Sequence, residues 1–247
     1  IFTAGYIGTV DYAKMHPEFI QTLSKTNADK FIIVGGDNEK LISQEADSRF
    51  IFTGKVADIR PYLSQMDVFA YLLNPKHFGT AEQVLQEALA AGVVPVVLNN
   101  KCEQSLVFHG KTGLVANNLD EYISYINLLK RNENLRKRLS KNAKIYAKKH
   151  FSLNKLIETW NEEFTNIIEI SKTEKVWEIQ KENVTSYDIF LESLGPYSDL
   201  FMLKSNKKIK TILSQPNWQS ASKGTPKQYL QFLGGNELER LCELYEQ

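Results

Sequence analysis

Cysteine is nearly absent from this chain. Cys102 and Cys242 stand far apart and lack metal-ligand spacing, so neither a zinc site nor a disulfide framework is expected, and a reduced cytoplasmic setting fits. Long hydrophobic runs are missing as well; no signal peptide and no segment of bilayer length is present. Charge of one sign is not in excess either. Thirty basic residues against 29 acidic ones leave a formal net charge of +1, so overall charge recruits neither nucleic acid nor an anionic membrane, and anion binding must be local. Several reaction motifs are also lacking. There is no Gly-x4-Gly-Lys-Ser/Thr phosphate loop, and Gly5-Tyr6-Ile7-Gly8 lacks the three-glycine dinucleotide spacing. There is no nucleophile elbow, Asp-x-Asp metal motif or His-Glu-x-x-His pair. Hydrolase and zincin chemistry are therefore not expected, and no metal is assigned.

What the chain does have is a regular alternation of apolar runs and helical patterns. With 247 residues, 43% of them hydrophobic, it can bury a full-sized core. Strands are predicted over 1–7, 31–34, 50–53, 68–72, 94–98 and 114–115, with helices over 17–25, 39–46, 58–65, 82–91, 105–108, 120–129, 133–150 and 152–170. Asp120 is expected to cap the sixth helix and Ser152 the last. This order predicts an α/β fold, a Rossmann-like parallel sheet flanked by helices. After Ser171 the composition shifts to charge clusters and prolines, with helices at 227–233 and 237–245 and an undecided segment at 177–194. Residues 1–171 are read as one domain and 172–247 as a mostly helical extension packed on it, of unassigned role.

Several predicted strands end in glycine or a short polar residue, at Gly5 to Thr9, Gly35-Gly36-Asp37, Thr53-Gly54-Lys55, Asn74 to Glu82 and Asn99-Asn100. In an open parallel sheet such ends converge on one rim, where ligands bind. The richest of them is His77-Phe78-Gly79-Thr80-Ala81-Glu82, followed by the helical run to Gly92 and the strand Val93-Val94-Pro95-Val96-Val97-Leu98. A glycine turn opening a helix offers backbone N–H groups to an anion such as phosphate.

The succession of a strand with Gly-Gly, Phe52-Thr53-Gly54-Lys55-Val56, Met66-Asp67-Val68-Phe69, Gly79 to Glu87, Ala88-Leu89-Ala90-Ala91-Gly92 and Pro95-Val96-Val97 resembles the C-terminal, donor-binding half of GT-B glycosyltransferases. Within that fold it is similar to retaining glycosyltransferase family 4, over about residues 2–168. The resemblance implies binding of a nucleotide diphosphate sugar, a UDP- or GDP-sugar, as substrate and not as cofactor. It also implies glycosyl transfer to a glycan, lipid-linked or small-molecule acceptor by a metal-independent front-face displacement. In that family a Glu-x7-Glu element precedes Ala-x-Ala-x-Gly, and its second acid holds the donor ribose; Glu87 matches it. Gly79 occupies the place of the first acid, so Glu82 or His77 is assigned to the sugar, with Gly79 and Thr80 presenting N–H groups to the diphosphate. Lys14 is the candidate cation for the leaving diphosphate beside Gly8 and Thr9, with Lys55 as its alternative. The backbone from Gly54 to Val56 resembles the segment that meets the base edge. Glu103 resembles a loop acid of the family, lining the same rim, whereas His16 and His109 are read as structural.

The catalytic assignments are thus Lys14 and Glu82, and the donor-binding ones Gly8, Thr9, Gly54, Lys55, Val56, His77, Gly79, Thr80 and Glu87. An N-terminal acceptor domain is expected to be missing, since the chain opens at Ile1 and the family's enzymes use two such domains. The expected location is cytoplasmic, free or peripheral at a membrane. Two other readings stay open: a catalytically silent nucleotide-binding or scaffold module, and a GT-B-type epimerase or phosphorylase.

Overall fold

Six short runs rich in β-branched and aromatic residues form a single parallel sheet in the computed structural model, which describes residues 1–36, 42–77, 82–173, 184–202, 206–215, 218 and 224–246. The strands are β1 (Thr3–Ile7), β2 (Lys30–Val34), β3 (Phe50–Phe52), β4 (Val68–Tyr71), β5 (Val94–Leu98) and β6 (Leu114–Ala116), in the order β3-β2-β1-β4-β5-β6. Every residue of β1, β4 and β5 is buried. Continuous apolar strands of this kind belong in a sheet covered on both faces. The order reverses direction between β1 and β4, which pair in parallel through Ala4 with Val68 and Gly5 with Phe69. Connections leave these two strands toward opposite edges, so a crevice opens between their carboxyl ends.

The helices of this part are α1 (Phe19–Ser24), α2 (Arg60–Leu63), α3 (Gln83–Ala91), α4 (Lys101–Leu106), α5 (Leu119–Arg131), α6 (Glu133–His150) and α7 (Leu153–Ile168). Two sequence expectations need correction. The cap of α5 is Asn118, whose side chain accepts from the Glu121 N–H at 2.9 Å, and Asp120 lies in the first turn. The short helix after β5 spans Lys101–Leu106, not 105–108, since Asn100 in extended geometry opens it directly after the strand. Ser152 does cap α7, its hydroxyl accepting from the Lys155 N–H at 3.3 Å. The expected helix at 39–46 falls partly outside the described residues; Ser43–Glu45 forms a 3-10 turn.

Three glycine-bearing ends are stitched together at the carboxyl rim. The Gly8 N–H donates to the Val34 carbonyl, the Val10 N–H to that of Gly36, and the Gly35 N–H to that of Gly54, each at 3.0 Å. Gly35 adopts φ +136°, and a Cβ there would stand 1.8 Å from the Gly8 carbonyl oxygen. Backbone on both sides of that contact leaves no side chain to yield. Glycine at 35 is therefore what permits the loops after β1 and β2 to approach each other.

The chain divides into two compact units, Ile1–Ser171 and Lys172–Gln247. The second is helical where described, with α8 (Ser186–Ser193), α9 (Asp199–Met202), α10 (Asn206–Leu213), α11 (Pro226–Leu233) and α12 (Asn236–Glu246). It encloses its own core of Phe190, Leu191, Phe201, Ile209, Leu213, Leu238 and Leu241. A reciprocal cap in which Thr185 and Asp188 satisfy each other's backbone N–H starts α8. The helix at 186–193 resolves the undecided segment in part, the rest of it lying outside the described residues.

Gly35→Ala is expected to lower stability to urea by about 3 kcal/mol, a strained backbone and a backbone clash acting together. Gly110 (φ +70°), where a Cβ would meet open space, should cost only about 1 kcal/mol on the same change. Equal losses at the two sites would contradict the stitched-rim account.

Candidate functional site

The crevice between β1 and β4 is closed by two loops that hold each other. The Asn74 N–H donates to the Lys14 carbonyl at 2.8 Å, and the His16 N–H to the Leu72 carbonyl at 3.0 Å. The Asn74 side chain adds a bond to the Tyr12 carbonyl at 3.0 Å. These contacts fix Lys14, on the β1 side, against the chain that continues from β4.

Glu82, the residue just before α3, lies at the centre of this arrangement. Its backbone is left-handed, at φ 39° and ψ 39°, a strained conformation for a residue other than glycine. Its side chain is 1% exposed. The Tyr71 hydroxyl, at the end of β4, donates to Oε2, and His77 Nε2 lies 3.3 Å from Oε1. Lys14 Nζ stands 4.0 Å from Oε2 and 5.6 Å from the centre of the Tyr71 ring. Across the crevice, Tyr6 stacks on Tyr71 at 5.8 Å and donates its hydroxyl to the Thr9 carbonyl at 2.8 Å.

The protonation of His77 follows from its neighbours. Nδ1 lies 2.7 Å from the Asn74 carbonyl oxygen, which can only accept, and Nε2 faces a carboxylate. With an acceptor at each nitrogen, the ring is placed so that its doubly protonated form can donate on both sides. Burial opposes the charge, but the bonds to Glu82 and to the Asn74 carbonyl outweigh it and raise the His77 pKa. Burial likewise opposes ionisation of Glu82, yet His77, Tyr71 and Lys14 together lower its pKa. The phenols of Tyr6 and Tyr71 are pushed up, by burial first and then by neighbouring negative charge. The result is a buried carboxylate with the His77 ring and the Lys14 ammonium gathered around it.

A second region adjoins it. Ile7, at the end of β1, lines an open groove of about 540 Å³ with Ala57, Asp58, Ile59, Arg60, Gln83, Val84 and Glu87. Glu87 is half-buried there, its Oε1 accepting from Gln83 Nε2 at 3.4 Å. The preceding turn contains Gly54, whose carbonyl is bound by Gly35, exposed Lys55, and Val56, which packs on the main core. Gly8 and Thr9 continue directly from Ile7 and are partly exposed. Gly79 and Thr80 lie outside the described residues.

Sequence reasoning left three participants unassigned or loosely placed. Tyr6 and Tyr71 bracket the crevice, and their signal was a tyrosine near the carboxyl end of each of two apolar strands. Glu103, in α4, is fully buried, with Oε1 accepting from Asn100 Nδ2 at 2.9 Å. His16 accepts the Glu18 N–H at 3.1 Å, and His109 contacts the Val115 backbone at 3.1 Å; neither bonds a crevice side chain. Among the described residues no group of three or more His, Cys, Asp or Glu is placed to hold a metal ion. Among them too, no helix is long and apolar enough to cross a membrane.

With this geometry in place, comparison with known proteins defines the class. The family model for glycosyl transferases group 1 matches residues 2–146. The chain belongs to that family. Its fold is shared with Anabaena HepE, solved in complex with UDP-glucose, at 22% identity and a TM-score of 0.59, covering 67% of this chain and 49% of that one. It is also shared with a glycosyltransferase from Rickettsia africae, at 17% identity and a TM-score of 0.59, covering 69% and 49%. S. aureus TarM, solved as a variant in complex with fondaparinux, alpha-GlcNAc-glycerol and UDP, matches at 19% identity and a TM-score of 0.58, covering 66% and 35%. The chain spans about half the length of the first two and about a third of TarM. No curated protein matches it. The Rossmann-like fold of the sheet domain is thereby one that these glycosyltransferases share over about half of their length or less.

The His77 ring should titrate in NMR spectra above the ordinary histidine value of 6.5, and Glu82→Gln should bring the midpoint below it, since burial then acts with one fewer opposing group. The linkage has two edges. The raised His77 contributes stability that is complete below 6.5 and lost as pH rises through its folded value. The lowered Glu82 contributes stability that is present above 4.5 and lost as pH falls through its own. A His77 midpoint unmoved by Glu82→Gln would contradict this pairing.

Proposed function

We propose that the chain is the donor-binding half of a retaining glycosyltransferase, taking a UDP- or GDP-sugar and delivering its glycosyl group to a glycan, lipid-linked or small-molecule acceptor. The single observation that carries this reading is that the chain leaving β1 serves both regions: Ile7 lines the groove that holds Glu87, and Lys14, seven residues on, stands 4.0 Å from the Glu82 carboxylate. An acid suited to a diol and a cation suited to a diphosphate are thereby carried at the same end of the sheet.

In this scheme the ribose hydroxyls donate to the Glu87 carboxylate, which has only acceptors to offer. The base edge meets the backbone from Gly54 to Val56, with Lys55 beside it. The diphosphate lies along Gly8 and Thr9 toward Lys14 and His77, and the N–H groups of Gly79 and Thr80 complete its cradle. As the glycosyl–phosphate bond breaks, negative charge grows on the leaving oxygen. Lys14 and His77, already oriented, stabilise it without the help of a metal ion. Glu82 acts through them: its buried carboxylate sets their positions and keeps His77 charged. The acceptor attacks from the face the phosphate leaves, so the anomeric configuration is retained and the protein mainly orients the reactants. A second domain supplies most of the acceptor site, and the enzyme works in the cytoplasm, free or peripheral at a membrane. HepE and TarM, solved with UDP or a UDP-sugar, support the donor class.

Calorimetric titration tests the scheme. UDP or GDP should bind, and Lys14→Ala should weaken the diphosphate about tenfold while leaving the free nucleoside unaffected, as expected for one lost charge-assisted bond. Glu87→Ala should erase the preference for the nucleotide over its 2′,3′-dideoxy analogue. Absence of binding to either nucleotide would reject the donor reading in favour of a silent scaffold module, and epimerised nucleotide sugar or phosphate-dependent glycan cleavage would replace transfer by the corresponding activity.

A further inference from the structure

Positive charge is concentrated on one helix that the donor scheme leaves without a task. Helix α6 carries seven Lys or Arg residues against one acid, Glu133. It holds +6 in a chain whose formal net charge is +1, so the remainder sums to −5. Leu139, Ala143 and Ala147 form its buried side. The side away from them is exposed and cationic. Lys137, Lys141, Lys144 and Lys148 follow one another at i, i+4, i+7 and i+11, with Arg138 and Lys149 beside them. Residues so spaced are neighbours on a helix surface, and like charges there repel. A face that only meets water relieves this with interleaved acids, as α7 does where Lys155 Nζ lies 2.9 Å from Glu158 Oε2.

An open groove of about 640 Å³ runs beside the stripe. Asp67 and Gly92 line it just before β4 and β5, so it lies at the opposite end of the sheet from the crevice. On α6 it is lined by Ser140, Lys141, Lys144 and Ile145 among others. Its two acids already have cations: Asp67 Oδ1 lies 3.4 Å from Arg136 Nε, and Glu133 Oε1 2.8 Å from Lys137 Nζ. Among the described residues no acid forms an ion pair with Lys141, Lys144 or Lys148. Lys144 is also oriented, since a Cβ on Gly92 would stand 2.2 Å from its Cε and its stem therefore lies across the glycine. Ile145, 58% exposed, stands among these cations.

We propose that the cationic face of α6 docks on the surface of an anionic bilayer, its lysines on lipid phosphates and Ile145 against the acyl boundary. A straight stripe of four lysines, about 17 Å long at the rise of a helix, matches a plane of headgroups. An apolar side chain at its centre finds a partner in lipid and none along a nucleic-acid backbone. Clustered Lys and Arg on one helix are attracted by anionic lipid, each adding to the affinity. The acidic remainder of the chain is repelled by the same surface, which turns α6 toward it. This docking selects the peripheral location of the two named above, and, because α6 lines neither the crevice nor the Glu87 groove, it can fail without the donor reading failing.

Co-sedimentation with vesicles tests the docking, using phosphatidylcholine alone and an equal mixture of phosphatidylcholine and phosphatidylglycerol. The wild-type chain is compared with the α6 variant Lys141→Gln, Lys144→Gln, Lys148→Gln and with a control, Lys25→Gln, Lys101→Gln, Lys172→Gln, which removes the same charge from exposed sites outside α6. The wild-type chain should bind the anionic vesicles only, and less tightly as salt is raised. The α6 variant should bind them about a hundredfold more weakly, at about fivefold per lysine, and the control within about threefold of wild type. The Tm of the α6 variant should stay level or rise as like-charge repulsion is relieved, so that lost binding is not lost folding. Equal losses in the two variants, or no binding of the wild-type chain to anionic vesicles, would overturn the docking. So would displacement by free glycerol phosphate at constant ionic strength, the mark of a site for one soluble phosphate, or tighter binding to duplex DNA that the α6 variant loses.

Discussion

The buried carboxylate of Glu82 is the constraint on which the candidate site depends. A charge removed from water must be matched by donors, or its residue neutralises or turns outward. Glu82 is matched by the Tyr71 hydroxyl, by His77 and by the nearby Lys14 ammonium. These come from β4, from the loop after β4 and from the loop after β1, so a single side chain ties together both lips of the switch-point crevice. The left-handed backbone at Glu82 is held by the same contacts, and it sets the angle at which α3 departs with Glu87 on its way to the groove.

This arrangement also resolves the neutral overall charge. With a formal net charge of +1, the protein has no long-range pull on anions, yet the crevice holds the His77 ring, whose pKa is raised, and the Lys14 ammonium close to one carboxylate. Placing the cations around a shared buried acid orients them before any ligand arrives. Preorganisation of that kind is where charged groups contribute most to stabilising a leaving group.

Much of the fold was legible from sequence because it is built from local signals. Apolar runs gave all six strands to within one or two residues, and glycines at their ends marked the rim. The helix Glu133–His150 matched its expected bounds because Asn132 caps it and its periodicity is long. Legibility failed where tertiary contacts decide. Asp120 and Asn118 are both good caps, and only the extended backbone at Asn118 selects it. Nothing in the run from His77 to Gly92 indicates that Glu82 turns inward, because its partners Tyr71 and Lys14 lie 11 and 68 residues away along the chain. For the same reason Tyr6 and Tyr71 read as ordinary strand residues. Glu103 reads in sequence as a loop acid, and its fully buried state depends on neighbours that no spacing reveals.

The most direct test of the account is a crystal structure of the chain with a UDP- or GDP-sugar bound. The expected result has the ribose on Glu87, the diphosphate beside Lys14 and His77, and Glu82 still buried with Tyr71 and His77 on its two oxygens. A nucleotide bound away from the β1–β4 crevice, or Glu82 swung out to contact the ligand with Tyr71 and His77 released, would contradict it.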